Sequence, residues 1–146
     1  MKALGEEGGI FNQESGEIAM LFTVDEITVG LPCTEPYYNH EPENGHIIGV
    51  DMRISTSSDL STVGGSPAIS SYDFSFVDPD GITQRNLGTI ATYSCISTSE
   101  QIPTSSLGPG QNYVGTVVLD VPATTGTLIF NPSWSGTANG WEWPVG

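Results

Sequence analysis

The sequence predicts an all-β chain folded as an antiparallel β-sandwich of about seven strands, on three observations. First, apolar and polar residues alternate with a spacing of two in several windows. Along an extended strand, that places one side chain in a core and the next in water. Second, clusters of Gly, Pro, Asn and Asp, the residues that turn a chain, separate these windows. Third, the 146 residues include 16 Ser, 15 Thr, 18 Gly and 10 Pro but only one Lys and two Arg. That mixture favours strands and turns and is short of ordinary helix formers. A chain of this length can bury a real core as a single domain. It shows no internal repeat, no heptad and no helical pattern longer than a turn.

In chain order, residues 1–16 are Gly/Glu-rich and aperiodic and read as a flexible tail or linker, leaving 17–146 as the sandwich domain. From Glu17, Ile18, Met20, Phe22 and Val24 share one strand face, with an irregularity expected at Asp25-Glu26 before Ile27 and Val29. Gly30 to Gly45 holds three prolines and two glycines counting both ends, and reads as a long loop. His46 to Thr56 is the clearest strand, with Ile48, Val50, Met52 and Ile54 on one face. After a polar connection, Tyr72, Phe74 and Phe76 form an aromatic face. The turn Asp78-Pro79-Asp80-Gly81 then sends Ile82 to Leu87 back as a hairpin. Thr89 to Ile96 reads as a strand carrying Cys95, and Gln101 to Gln111 as a loop. Asn112 to Val121 is a long strand stopped by Pro122, and Thr127 to Phe130 is the returning strand, stopped by Pro132. The tail places Trp134, Trp141 and Trp143 within ten positions.

Charge and cysteine content narrow the function. With 3 Lys+Arg against 17 Asp+Glu, the formal net charge is −14. Phosphate backbones and anionic lipid surfaces are bound by cationic side chains, so neither nucleic acid nor electrostatic membrane docking is expected. No window has the roughly 18 unbroken apolar residues of a membrane helix. The first residues lack the apolar stretch of a signal peptide, so an export signal or lipid anchor is expected upstream of residue 1. Cys33 and Cys95 stand without a CxxC or Cys/His cluster, which argues against zinc. Set against a reactive thiol, a disulfide is the reading preferred from composition and class. Such a link would stabilise the fold by about 4 kcal/mol on the chain-entropy view. Together with scarce Lys and abundant Ser/Thr, it points outside the cytoplasm.

Four segments, taken in order, carry a family resemblance. They are Ile48-Ile-Gly-Val-Asp-Met-Arg-Ile54, the aromatic strand entering Asp78-Pro-Asp-Gly81, Leu107-Gly-Pro-Gly-Gln111 leading into Gly115-Thr-Val-Val-Leu-Asp-Val-Pro122, and Leu128-Ile-Phe-Asn-Pro132. Their order and spacing resemble the bacterial secreted and lipoprotein domains of unknown function that have an immunoglobulin-like sandwich. That group is similar in fold to the mycobacterial secreted immunoprotective antigen. The resemblance spans about residues 17 to 132. It implies an immunoglobulin-like topology, export from a bacterial cell, often a lipid anchor, and no catalytic residues. The Gly30–Gly45 loop and the Trp-rich tail have no counterpart in that pattern, and the lipobox cysteine is absent from it here.

Few residues suggest chemistry. His40 and His46 flank Glu41 and Glu43, a potential metal set, but Pro42 and Gly45 break the spacing that would align them, and a solvated loop is the plainer reading. Asp78 and Asp80 could ligate calcium, set against a hairpin turn that uses Asp and Gly for their geometry. No Gly-x-Ser-x-Gly occurs, and a small hydrolase is the least favoured reading. Trp134, Trp141 and Trp143, with Tyr37 and Tyr38, are candidate ligand-binding aromatics that could stack on sugar rings, unless the Trp side chains instead close one end of the core. The sequence thus predicts a non-enzymatic, surface-associated module without cofactor or metal. Its partner would be a protein or glycan, with edge strands able to accept a further strand. A carbohydrate-binding module is the alternative.

Overall fold

The computed structural model describes residues 2–11, 16–35, 41–60, 67–103, 106–135 and 140–146. In chain order it contains β1 (Glu7–Phe11), β2 (Ile18–Val29), β3 (His46–Thr56), β4 (Phe74–Val77), β5 (Thr83–Gln84), a helical turn α1 (Ile90–Tyr93), β6 (Asn112–Val121), β7 (Gly126–Phe130) and β8 (Trp141–Val145). The strands form two antiparallel four-stranded sheets, ordered β1-β2-β3-β6 and β5-β4-β7-β8.

The period-two pattern builds the core. Met20, Phe22 and Val24 of β2, Ile48, Val50, Met52 and Ile54 of β3, and Val117, Leu119 and Val121 of β6 are buried on one sheet. Phe74, Phe76, Leu128, Phe130, Trp143 and Val145 face them from the other. Phe22 bridges the layers. Its ring meets those of Phe130, Trp141 and Trp143 edge-on, with centroids 5.1, 4.7 and 6.4 Å away, the geometry that ring quadrupoles favour. The expected irregularity in β2 is a bulge. The register passes from Val24↔Met52 to Glu26↔Asp51, and the skipped Asp25 accepts two hydrogen bonds from Arg53 at 2.7 and 2.9 Å.

Three expectations need correction. Residues 7–11 are not a tail but edge strand β1, paired with β2 and sending Ile10 into the core. Gly8 and Gly9 hide the strand because they show no side-chain alternation, yet a Cβ on Gly8 would overlap the Phe22 ring. Thr89 to Ile96 is not a strand. Thr92 Oγ1 accepts from the Thr89 N–H at 3.0 Å and donates to the Thr89 carbonyl at 2.7 Å, so local bonds wind α1 instead. The return of Ile82 to Leu87 shrinks to the two-residue β5. The segment after β5 instead crosses to the outer face of the first sheet. There Ala91, Cys95 and Ile96 pack on Ile47 and Val118 as a second, smaller core. The Cys33–Cys95 disulfide staples this cover to the loop after β2, assisted by Thr34 and Glu35 N–H groups donating to the Cys95 carbonyl at 2.8 and 3.3 Å.

Candidate functional site

β6 is the edge of its sheet, so every second residue points its N–H and C=O away from β3. Thr116 is one of these. Its N–H donates to the Glu100 carbonyl at 2.9 Å, and its carbonyl accepts from the Ile102 N–H at 3.1 Å. Asp120 is another, its N–H donating to the Leu87 carbonyl at 2.8 Å. The β3–β6 register is unbroken between them, so Val118, midway, also aims its backbone groups outward. No described residue hydrogen-bonds to either group, although Val118 is only 7% exposed.

Val118 lies on the wall of a cavity of about 360 Å³ between β6, the Ser71–Asp73 turn, α1 and the 98–102 segment. Ile69, Ile102 and Val117 line its apolar side. Tyr72 and Tyr93 stand at it, 82% and 62% exposed. None of its lining residues is charged. Tyr72 also borders a second groove of about 410 Å³ that includes Ser75, Thr83, Arg85 and Asn131. Arg85 has no ion pair among the described residues, whereas Lys2 pairs with Glu6 and Arg53 with Asp25. Those partners hold the Glu6 and Asp25 carboxyls below the usual range, chiefly through the hydrogen bonds. In the turn beside Tyr72, burial pushes the Asp73 carboxyl up, opposed by the Ser70 N–H that donates to it at 2.9 Å.

Asp120 holds the neighbouring loop. Its side chain is fully buried and accepts from the N–H groups of Glu43, Asn44 and Gly45 at 2.7, 3.1 and 3.2 Å, and from the Thr89 hydroxyl at 2.8 Å. Three successive backbone donors converging on one carboxylate form an anion nest. The Asn44 amide adds bonds to the Asp120 and Asn86 carbonyls.

The aromatic candidates from the sequence do not assemble into one surface among the described residues. Trp143 is 0% exposed, and its indole N–H has no partner there. Trp141 is half-buried against Phe22, and Trp134 is half-buried with its N–H donating to the Ala68 carbonyl at 3.0 Å. Tyr37, Tyr38 and His40 lie outside the described residues. His46 is exposed at the start of β3. Asp78 spends its carboxylate within the hairpin, accepting from the Asp80 and Ile82 N–H groups at 2.9 Å each. No three His, Cys, Asp or Glu side chains gather as a metal set among the described residues. The sequence reading did not single out Tyr93 or Asp120, and it grouped Tyr72 with Phe74 and Phe76 on one aromatic face, whereas Tyr72 stands exposed in the turn before β4. No local pattern marks the nest, because its donors and its acceptor lie more than seventy residues apart.

The fold matches solved structures along nearly the whole chain. A secreted protein from Mycobacterium tuberculosis, MPT63, is 17% identical with a TM-score of 0.61, covering 98% of this chain and 95% of its own. The yjhA protein of Bacillus subtilis is 15% identical with a TM-score of 0.56, covering 99% and 98%. A Bacillus subtilis protein described as a lipoprotein, ycdA, is 12% identical with a TM-score of 0.53, and its match covers 99% of this chain but 39% of its own. No family model matches the chain, nor does any curated protein. The likenesses agree with an immunoglobulin-like antiparallel sandwich.

Proposed function

We propose that this chain is an exported, non-enzymatic module of a bacterial cell surface that binds its ligand at the cleft between Tyr72 and Tyr93. The carrying observation is that two large aromatic side chains stand in solvent beside a cavity without charge, on a chain of net charge −14. Exposed rings around a concave apolar wall are the usual make-up of a recognition site. The Cys33–Cys95 disulfide suits an oxidising compartment. The printed descriptions of two neighbours, a secreted protein and a lipoprotein, support the same compartment. The cleft lining includes no carboxylate or imidazole to move a proton, so its chemistry is contact and hydrogen bonding rather than acid–base work. Attachment to a membrane would come through an upstream lipid anchor.

The test is binding of the disulfide-bonded chain to panels of immobilised glycans and purified cell-surface proteins, with a Tyr72→Ala/Tyr93→Ala variant alongside. The expected result is at least a tenfold loss of affinity for the bound ligand in the variant. A ligand held equally well by both chains would overturn the assignment.

A further inference from the structure

The geometry points to the occupant of the cleft. It is an uncharged acetamido sugar, an N-acetylhexosamine residue of a glycan, which hydrogen-bonds to the backbone of Val118. This rests on the binding reading above and adds the class of ligand.

Four observations converge. The first is the open rung. Val118 presents an N–H donor and a C=O acceptor with no described partner, although it is nearly buried. A buried backbone group normally has a partner, and leaving one unmade is costly. The cleft therefore asks for a group offering one donor and one acceptor.

The second is closure at both ends. The chain already occupies the edge at Thr116, through Glu100 and Ile102, and at Asp120, through Leu87. Four residues separate those positions, about 13 Å of extended strand. A strand added along β6 would run into the chain's own cover in either direction. A compact side group fits this gap, whereas a continuous peptide does not.

The third is charge. The lining has no Asp, Glu, Lys or Arg, and the chain around it carries −14. Phosphorylated sugars, uronic acids and peptide C-termini would meet a repelling field and no counter-charge. A neutral ligand enters without that cost.

The fourth is shape and polarity. Ile69, Ile102 and Val117 offer a dry surface for a methyl group, while Tyr72 and Tyr93 offer faces for a pyranose ring. An acetamido sugar carries all four features on neighbouring atoms. Its amide N–H donates to the Val118 carbonyl, and an adjacent ring hydroxyl oxygen accepts from the Val118 N–H. Its methyl lies on the isoleucines and its ring on a tyrosine. A plain hexose supplies the hydroxyls but neither the methyl nor the amide. The volume of about 360 Å³ is within the range of small-ligand sites.

The experiment follows backbone amide resonances of the 15N-labelled, disulfide-bonded chain. The probes are the trisaccharide of N-acetylglucosamine and, for comparison, the β-1,4 glucose trisaccharide. With the acetylated probe, the Val118 amide should shift saturably and its hydrogen exchange should slow. The glucose probe should bind at least tenfold more weakly. Tyr93→Ala should reduce affinity for the acetylated probe at least tenfold, while Ile82→Ala, remote from the cleft, should leave it unchanged. Saturable shifts confined to residues away from Val118, or no shift at all, would overturn the assignment. So would equal affinity for the two trisaccharides. If those results arise while another ligand still loses affinity in the Tyr72→Ala/Tyr93→Ala variant, the cleft remains the binding site and only the acetamido class fails. If no ligand responds to that double substitution, the cleft itself fails.

Discussion

Replacing Asp120 by alanine should destabilise the fold by about 2–4 kcal/mol. The buried carboxylate accepts four hydrogen bonds, three from the amides of Glu43, Asn44 and Gly45 and one from the Thr89 hydroxyl. Hydrogen bonds to an ionised acceptor contribute roughly 1.5–3 kcal/mol each, but not additively. Two terms reduce the sum. Glu43 and Gly45 are exposed enough for water to take up their freed amides, and alanine no longer buries a charge. Asparagine makes the sharper comparison. Its oxygen can keep Asn44 and Gly45, and its NH₂ can donate to a rotated Thr89 hydroxyl. The Glu43 N–H then faces a donor, so about 1–2 kcal/mol is expected. Urea unfolding of the oxidised chain measures both values, and amide exchange at residues 43–45 should accelerate in the alanine variant. A cost for Asp120→Ala below about 0.5 kcal/mol, or an asparagine variant as damaged as the alanine one, would refute the nest as the fastening of this loop.

Other substitutions probe separate parts of the structure. Cys33→Ser/Cys95→Ser should lose about 2–4 kcal/mol in urea melts, with amide exchange rising at residues 31–35 and 90–96 but not in β2, because the main core does not depend on the link. Gly115→Ala should push the 98–102 segment off the edge, since a Cβ there would lie 2.6 Å from the Ile102 nitrogen. Loss of exchange protection at the Ile102 and Thr116 amides would report it. Phe22→Ala should cost about 3–5 kcal/mol, because its ring joins the two sheets. Asp73 gives a pH effect. Burial raises its folded pKa above the unfolded value, so the folded state binds the proton more tightly. Its penalty is present above the folded pKa and is relieved as pH falls toward the unfolded one. Wild type should therefore gain stability relative to Asp73→Asn on acidification through that window, and parallel pH profiles would contradict the assignment.

The strands that alternate cleanly were legible in the sequence. His46–Thr56 and Asn112–Val121 have the predicted bounds, because the face turned to the main core imposes its period of two on the residues. The bulge at Asp25 was legible for the same reason, as a break in phase. β1 was hidden because its two glycines carry no hydropathy and its partner supplies the pairing. α1 was hidden because Thr89 and Thr92 favour strands by propensity, and only their mutual hydrogen bonds reveal the turn. The cleft was not readable at all. It joins Tyr72, Tyr93 and Val118 from three separated segments, and its polar feature belongs to the backbone, which every sequence shares. Long-range bonds such as those of Asp120 leave the same kind of silence, since a strand acid reads as solvent-facing until its loop is in place.

The self-covered edge of β6 also bears on how these molecules behave when crowded. Fibrils and open-ended assemblies grow by templating, in which a long row of vacant main-chain groups recruits an identical row from another molecule. Here the row is interrupted at Thr116 and again at Asp120 by the chain itself, so a copy pairing along β6 beyond Val114 meets the chain's own cover. Mutual repulsion between strongly acidic copies works in the same direction. A polar notch can thus stay open on that half of the sheet margin without offering a long template for a second copy.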